Sequence, residues 1–215
     1  MAASSSIIDL RRLLAERFPQ TFVPAPDRLR TGVPAIDTAI GGLPKNAITE
    51  LSSPNLSAGS ALLLHALLQN AHHDGFFVAL VDGKDSFDPH TAGPAVLPNL
   101  LWVRCHDASE AVQAADLLLR DGNFPLVILD LVLNASDELR KIPQTHWYRL
   151  QRLVEAAPSV FLVLTRRSMI SSAQLKLFLD NAWRLSDLEE QEAGTRLKVQ
   201  VERVHGGKEM MATAG

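Results

Sequence analysis

A chain of 215 residues, 47% of them hydrophobic, is long enough to bury one sizeable core and too short for several. The formal net charge of −3 argues against a strongly basic nucleic-acid domain, and the single cysteine, Cys105, excludes an internal disulfide and a cysteine zinc site. No apolar run approaches the roughly 18 residues of a membrane span, and MAASSSIIDLRR lacks a hydrophobic secretion segment after a basic start, so cytoplasmic residence is expected.

Residues 6–18 give the first helix signal. Ile7, Leu10, Leu13, Leu14 and Phe18 share one face, with Arg11, Arg12, Glu16 and Arg17 mostly opposite, and Pro19 ends the pattern. Pro19, Pro24, Pro26 and Pro34 then mark an extended arm. Residues 1–30 therefore read as an amphipathic helix on a proline-rich arm, its apolar face packing either on its own domain or on a partner or second copy. From Thr31 the chain alternates. Strands are expected at Ala47–Leu51, Phe76–Val81, Leu100–Arg104, Leu126–Asp130 and Val160–Leu164, with helices at 59–70, 107–120, 137–156 and 171–180. Asp107 or Ser109 is placed to cap one helix, and Ser136 another. Nearly continuous apolar strands imply a mainly parallel sheet covered on both faces. Ala182–Asp187 and the alternating Thr195–Arg203 read as a terminal antiparallel hairpin, followed by a tail, 206–215, expected to be disordered.

The chemistry centres on the turn after Ala47–Leu51. Strand, small-residue loop and helix form the setting in which backbone N–H groups and a helix N-terminus hold phosphates. The loop pattern G-x-x-x-x-G-K-[ST], laid on Ser53 to Ser60, finds Ser53 and Ala58 for the glycines, Gly59 for the lysine and Ser60 for the hydroxyl. Only Ser60 fits. Ala58 brings a Cβ where phosphate must approach closely, and Ser53 removes the glycine that shapes the turn. Cys105, beside Leu100–Val103, reads as core, and the seven histidines show no metal-ligand spacing. Ser57, Ser60 and Ser86 have no apparent His–Asp partners, which argues against a hydrolase.

Thr31–Leu51 (TGVPAIDTAIGGLPKNAITEL) resembles the segment before the phosphate loop in the RecA/RadA recombinase family, TG...LD..LGGG.P.G...E. Val81–Pro89 (VDGKDSFDP) resembles that family's D-A-E-x-x-x-D-P, and Asp107–Asp130 its helix and Walker B strand, with Asp130 at the acidic position. The resemblance covers residues 31–205 and implies a RecA-like α/β core. In that family the glutamate of D-A-E activates the water that attacks the γ-phosphate. Here the matching residue is Lys84, an ammonium unable to accept a proton at neutral pH. With Gly59 in place of the loop lysine as well, ATP hydrolysis is not expected, and no cofactor or metal is assigned. Lys84 could return a charge to the site, and Ser60 with Asp130 could hold magnesium, so nucleotide binding without hydrolysis stays open. Asp130 also has a plain alternative role, capping the turn after its strand.

Within the superfamily the chain is similar to the ImuA group, RecA-like accessory proteins of bacterial translesion synthesis. The likeness lies in Thr49–Pro54, Asn99–Arg104 (NLLWVR), Ala108–Leu119, Tyr148–Leu153 (YRLQRL) and the basic strand Leu197–Arg203. That resemblance implies a non-catalytic protein of the SOS response that binds an ImuB-type Y-family polymerase homologue, with RecA and self as further partners. The related cell-division inhibitor SulA and a weak ATP-binding or ATPase RecA paralogue are the alternatives. Recombinase loops after the fourth and fifth core strands line the DNA axis. The corresponding stretches hold Arg140, Lys141, His146, Trp147, Tyr148, Arg149 and Arg152, then Arg166 and Arg167, candidates for a partner or for weak single-stranded DNA. The competing reading is a solvated helix face with Trp147 and Leu150 turned to the core, which the negative net charge favours.

Overall fold

The computed structural model describes residues 28–56, 58–181 and 197–204. The expected helix carrying Ile7, Leu10, Leu13, Leu14 and Phe18, its arm as far as residue 27, Ser57, the segment Ala182–Asp187 and the tail 206–215 lie outside the described residues.

The described chain starts with a two-stranded ladder, β1 (Arg28–Leu29) antiparallel to β2 (Leu43–Pro44), enclosing α1 (Pro34–Ile40). Arg28 and Leu29, read from the sequence as arm, thus belong to the core. The motif Thr31–Leu51 owes its residue types to this corner. Asp37 accepts hydrogen bonds from the Thr31 and Gly32 backbone N–H groups and from the Thr31 hydroxyl, fixing the entry to α1. Gly42 has φ +105°, and a Cβ there would lie 2.4 Å from the Leu29 carbonyl oxygen, so no other residue fits.

The sheet follows as β3 (Ala47–Ser52), α2 (Ser60–Asp74), β4 (Val78–Asp82), α3 (Pro89–Ala92), β5 (Leu100–Arg104), α4 (Ala108–Asp121), β6 (Leu126–Asp130), α5 (Ser136–Arg140), α6 (Gln144–Glu155), β7 (Val160–Thr165), β8 (Leu175–Leu179) and β9 (Val199–Val204). Strand order is β5-β4-β6-β7-β3-β8-β9, parallel throughout except between β8 and β9. The inner strands β3, β4, β6 and β7 are covered on both faces, which explains their continuous apolar runs, while the edge strand β5 stays partly exposed. Leu80, Ile128 and Leu162 point to the α2 side, where Leu63, Leu67 and Leu68 meet them. Val81, Leu129 and Val163 point to the α4 and α6 side, against Ala111, Ala115, Trp147 and Leu150. Burying one such Leu or Val removes it from water at a gain of about 1.5–3 kcal/mol, so the two covered faces supply most of the driving force.

Three sequence expectations change. The helix expected over 137–156 is two helices, because Pro143 cannot continue α5 and instead sits at the N-cap of α6. Ser136 is the first residue of α5, whose N-cap is Ala135, so it caps nothing. The helix expected over 171–180 is the strand β8, in which Leu175, Leu177 and Leu179 are buried and alternate with Lys176 and Phe178. That strand pairs antiparallel with β9 in the terminal hairpin. The cap expected at Asp107 forms: it caps α4 by accepting from the Glu110 N–H.

Candidate functional site

The loop between β3 and α2 is tied down at its two ends, Ser53 and Ala58. The Ser53 N–H donates to the Thr165 carbonyl at 2.8 Å and the Ala58 N–H to the Asn55 carbonyl at 3.1 Å. The Ser53 hydroxyl also turns back, donating to the Asn55 carbonyl at 2.9 Å. The Ala58 side chain is fully buried in the core beneath α2. Asn181, just past β8, donates to the Ala58 carbonyl at 2.9 Å and exchanges bonds with the Lys198 backbone, fastening the loop to the terminal hairpin. A phosphate cradle needs N–H groups turned outward, and at residues 53 and 58 they serve the protein's own backbone. Gly59 holds φ +107°, a conformation a lysine adopts only with strain.

Beside the loop, Asp82 at the end of β4 organises the next turn. Its carboxylate accepts from the Lys84, Ser86 and Phe87 N–H groups, the Ser86 hydroxyl and the Trp102 indole. The Lys84 side chain leaves toward α4 and α5, where its ammonium meets Glu138 at 2.9 Å and the His106 carbonyl at 3.2 Å. It therefore does not reach the loop, and the expectation that it returns a charge there is corrected. The Asn134 amide, with the Lys84 ammonium second, holds the Glu138 carboxyl below its ordinary value. Gly83 marks the contact of the β4 and β6 ends: a Cβ there would lie 2.4 Å from Asn134 Oδ1 and 2.7 Å from the Asp130 carbonyl.

Ser60 and Asp130 do converge, in a cleft of about 290 Å³ between α2, α3 and the loop after β6. Its other polar residues are His65, Ser86, Asp88 and Thr91, and Leu56, Leu64, Phe87, Val132 and Leu133 give it an apolar lining. Neither lysine nor arginine lines it among the described residues. One oxygen of Asp130 accepts the Val132 N–H at 2.9 Å, the turn-capping role open to an acid at a strand end. Burial pushes the Asp130 carboxyl up to about 6, against that hydrogen bond and with help from the Asp82 charge. Asp88 caps α3, and the Thr91 hydroxyl and then the His90 N–H hold its carboxyl below the ordinary value. A triphosphate in this cleft would face two carboxylates and, among the described residues, no lysine or arginine. The donor set does not fit a magnesium nucleotide.

Sequence reasoning missed Glu50. It lies 1% exposed on β3 and takes the Lys176 ammonium at 3.0 Å. It also accepts from the Met169 and Ile170 N–H groups and the Ser168 hydroxyl. One buried carboxylate thereby holds Ser168, Met169 and Ile170 of the loop after β7. The signal was an acid inside an apolar strand with a lysine in another.

The basic candidates separate. Trp147 is 0% exposed in the core, so it is withdrawn from the surface set, and Leu150 is buried beside it. Arg149 is paired to Asp116 at 2.8 Å on α4. Arg140, Lys141, Arg152, Arg166 and Arg167 are exposed. Gln144 donates to the Met169 carbonyl and accepts from the Ser171 hydroxyl, so the loop after β7 adjoins the start of α6. Cys105 is buried, and burial raises its thiol to about 11, in keeping with a core role.

A mainly parallel sheet with the loop-bearing strand β3 between β7 and β8, helices on both faces and a terminal hairpin defines a RecA-like α/β protein. The chain belongs to the RecA family, since residues 21–141 match the RecA N-terminal domain. It is similar to the Protein RecA of Clavibacter michiganensis, 37% identical over 121 residues, which covers 54% of this chain and 32% of that protein. It is also similar to the Protein RecA of Frankia alni, 35% identical over 106 residues, covering 47% of this chain and 30% of that protein. The chain spans about a third of the length of the curated relatives it matches. No helix among the described residues is long and apolar enough to cross a membrane.

Proposed function

We propose that this chain is a non-catalytic RecA-family protein that works through protein contacts in damage-induced mutagenic DNA repair, in the manner of the ImuA group. The partner is an ImuB-type Y-family polymerase homologue, with RecA and a second copy as further candidates. The observation that carries the reading is the strand-to-helix loop, where the Ser53 and Ala58 N–H groups a phosphate would need are bonded to the protein's own backbone, with Asn181 holding the Ala58 carbonyl. Two departures from the recombinase chemistry support it: Gly59 in place of the loop lysine, and Lys84, paired with Glu138, in place of the catalytic acid. RecA relatives, matched over about a third of their length, support the superfamily and DNA repair as a setting. The proposed location is the cytoplasm, including the nucleoid.

The amphipathic face of Ile7, Leu10, Leu13, Leu14 and Phe18, and the exposed Arg140, Lys141, Arg166 and Arg167, are the contact surfaces under this reading. Affinity capture from DNA-damaged cells tests it. The expected result is enrichment of a polymerase homologue, lost on deletion of residues 1–27, which leaves the core strand β1 in place, or on charge reversal at Arg166 and Arg167. Capture of the division GTPase alone would replace this reading with SulA-like inhibition. Capture of neither would reject both.

A further inference from the structure

We infer that the cleft between α2, α3 and the loop after β6 is a socket for a basic peptide segment carrying apolar side chains, supplied by a partner protein. This rests on the proposal that the chain acts through protein contacts, and it names the place. Size comes first: about 290 Å³ suits one or two long side chains rather than a folded element. Shape and chemistry come next. Leu56 and Leu133 stand in its wall 55% and 47% exposed, apolar surface left open to water beside a concavity.

Charge decides the class of occupant. The acids in the lining are Asp88 and Asp130, and its other titratable side chain is His65. Asp88 is kept ionised by the Thr91 hydroxyl and the His90 N–H. Asp130 has one oxygen on the Val132 N–H and the Asp82 carboxylate beside it in register on β4. A phosphate entering here meets like charge. An arginine or lysine can set its head between these acids while its methylene stem lies along Leu133 and Val132. The place where the fold would hold an anion is electrostatically inverted.

The test uses the full chain and a fluorescein-labelled peptide alternating arginine and leucine, with a glutamate–leucine twin and an arginine–serine twin, read by fluorescence anisotropy. The socket predicts binding of the arginine–leucine peptide that weakens roughly tenfold or more in both twins and in Leu133→Arg and Asp130→Asn. Leu133 is exposed, so its variant is expected to melt like the parent, which separates loss of the socket from loss of the fold. Binding unchanged in both variants, equal binding of the glutamate–leucine twin, or displacement of the peptide by magnesium–ATP overturns it. Capture of the polymerase homologue separates the two proposals. Capture intact in Leu133→Arg sinks the socket and leaves the interaction reading standing. No capture by the parent chain, with cleft-dependent peptide binding, does the reverse.

Discussion

Asp130 and Asp82 end neighbouring strands at the same register but live differently. Asp82 is saturated with donors, whereas Asp130 is half-buried at the cleft with a single backbone donor, and desolvation raises its carboxyl from 3.8 to about 6. A folded pKa above the unfolded one means stabilisation that is full below pH about 4 and lost as pH rises through about 6. Asp130→Asn keeps the acceptor for Val132 and removes the charge. It should therefore stabilise the protein by about 1–3 kcal/mol at pH 8 and by little at pH 4, as urea denaturation at both values would record. A gain equal at both pH values would refute burial of the charge as the cause. Gly83 permits a different check, because a methyl group there strikes the Asp130 carbonyl and Asn134. Gly83→Ala should cost about 2–4 kcal/mol in the same assay. Gly59→Lys restores the letter of the phosphate motif but not its function. At φ +107° the new side chain is strained, and the expectation is a lower melting temperature with no nucleotide binding. The missing motif letters were legible in the sequence. The direction of Lys84 was not, because its partner Glu138 lies 54 residues away and only the folded sheet brings them together.

At the level of elements, the loop after β7 is controlled by Glu50 on β3. The carboxylate joins two backbone N–H groups, a hydroxyl and a largely buried ammonium, so removing its charge leaves Lys176 without a counter-ion. Glu50→Gln is expected to lose about 2–4 kcal/mol and to speed tryptic cleavage after Arg166 and Arg167. Adding Lys176→Met should recover part of the stability, since it removes the stranded charge. A Glu50→Gln protein cut no faster than the parent would show that the clamp does not hold the loop. Regular elements were legible wherever apolar pattern alone decides, as in β5, β6 and α4. At β8 a helix was expected over 171–180, although Leu175, Leu177 and Leu179 alternate as a half-buried strand does. The pattern misled at Pro143, a residue that breaks a helix whatever its neighbours favour.

For the whole molecule, the strand order and the two covered faces are those of a RecA-like core, and that class could be read from Thr31–Leu51 and the apolar strands. What could not be read was how the core had been re-fastened. Asn181 to the 53–59 loop, Glu50 to the loop after β7, and Lys84 to α5 are all long-range bonds at the ends of strands where the family's chemistry would sit. The nucleotide site, on this view, has become structure, and the surfaces carry the work. Isothermal calorimetry of the full chain with magnesium–ATP puts that to the proof. The expected result is no saturable heat at millimolar nucleotide, in the parent and in Lys84→Ala alike. Saturable binding abolished by Ser60→Ala or Asp130→Asn would contradict it.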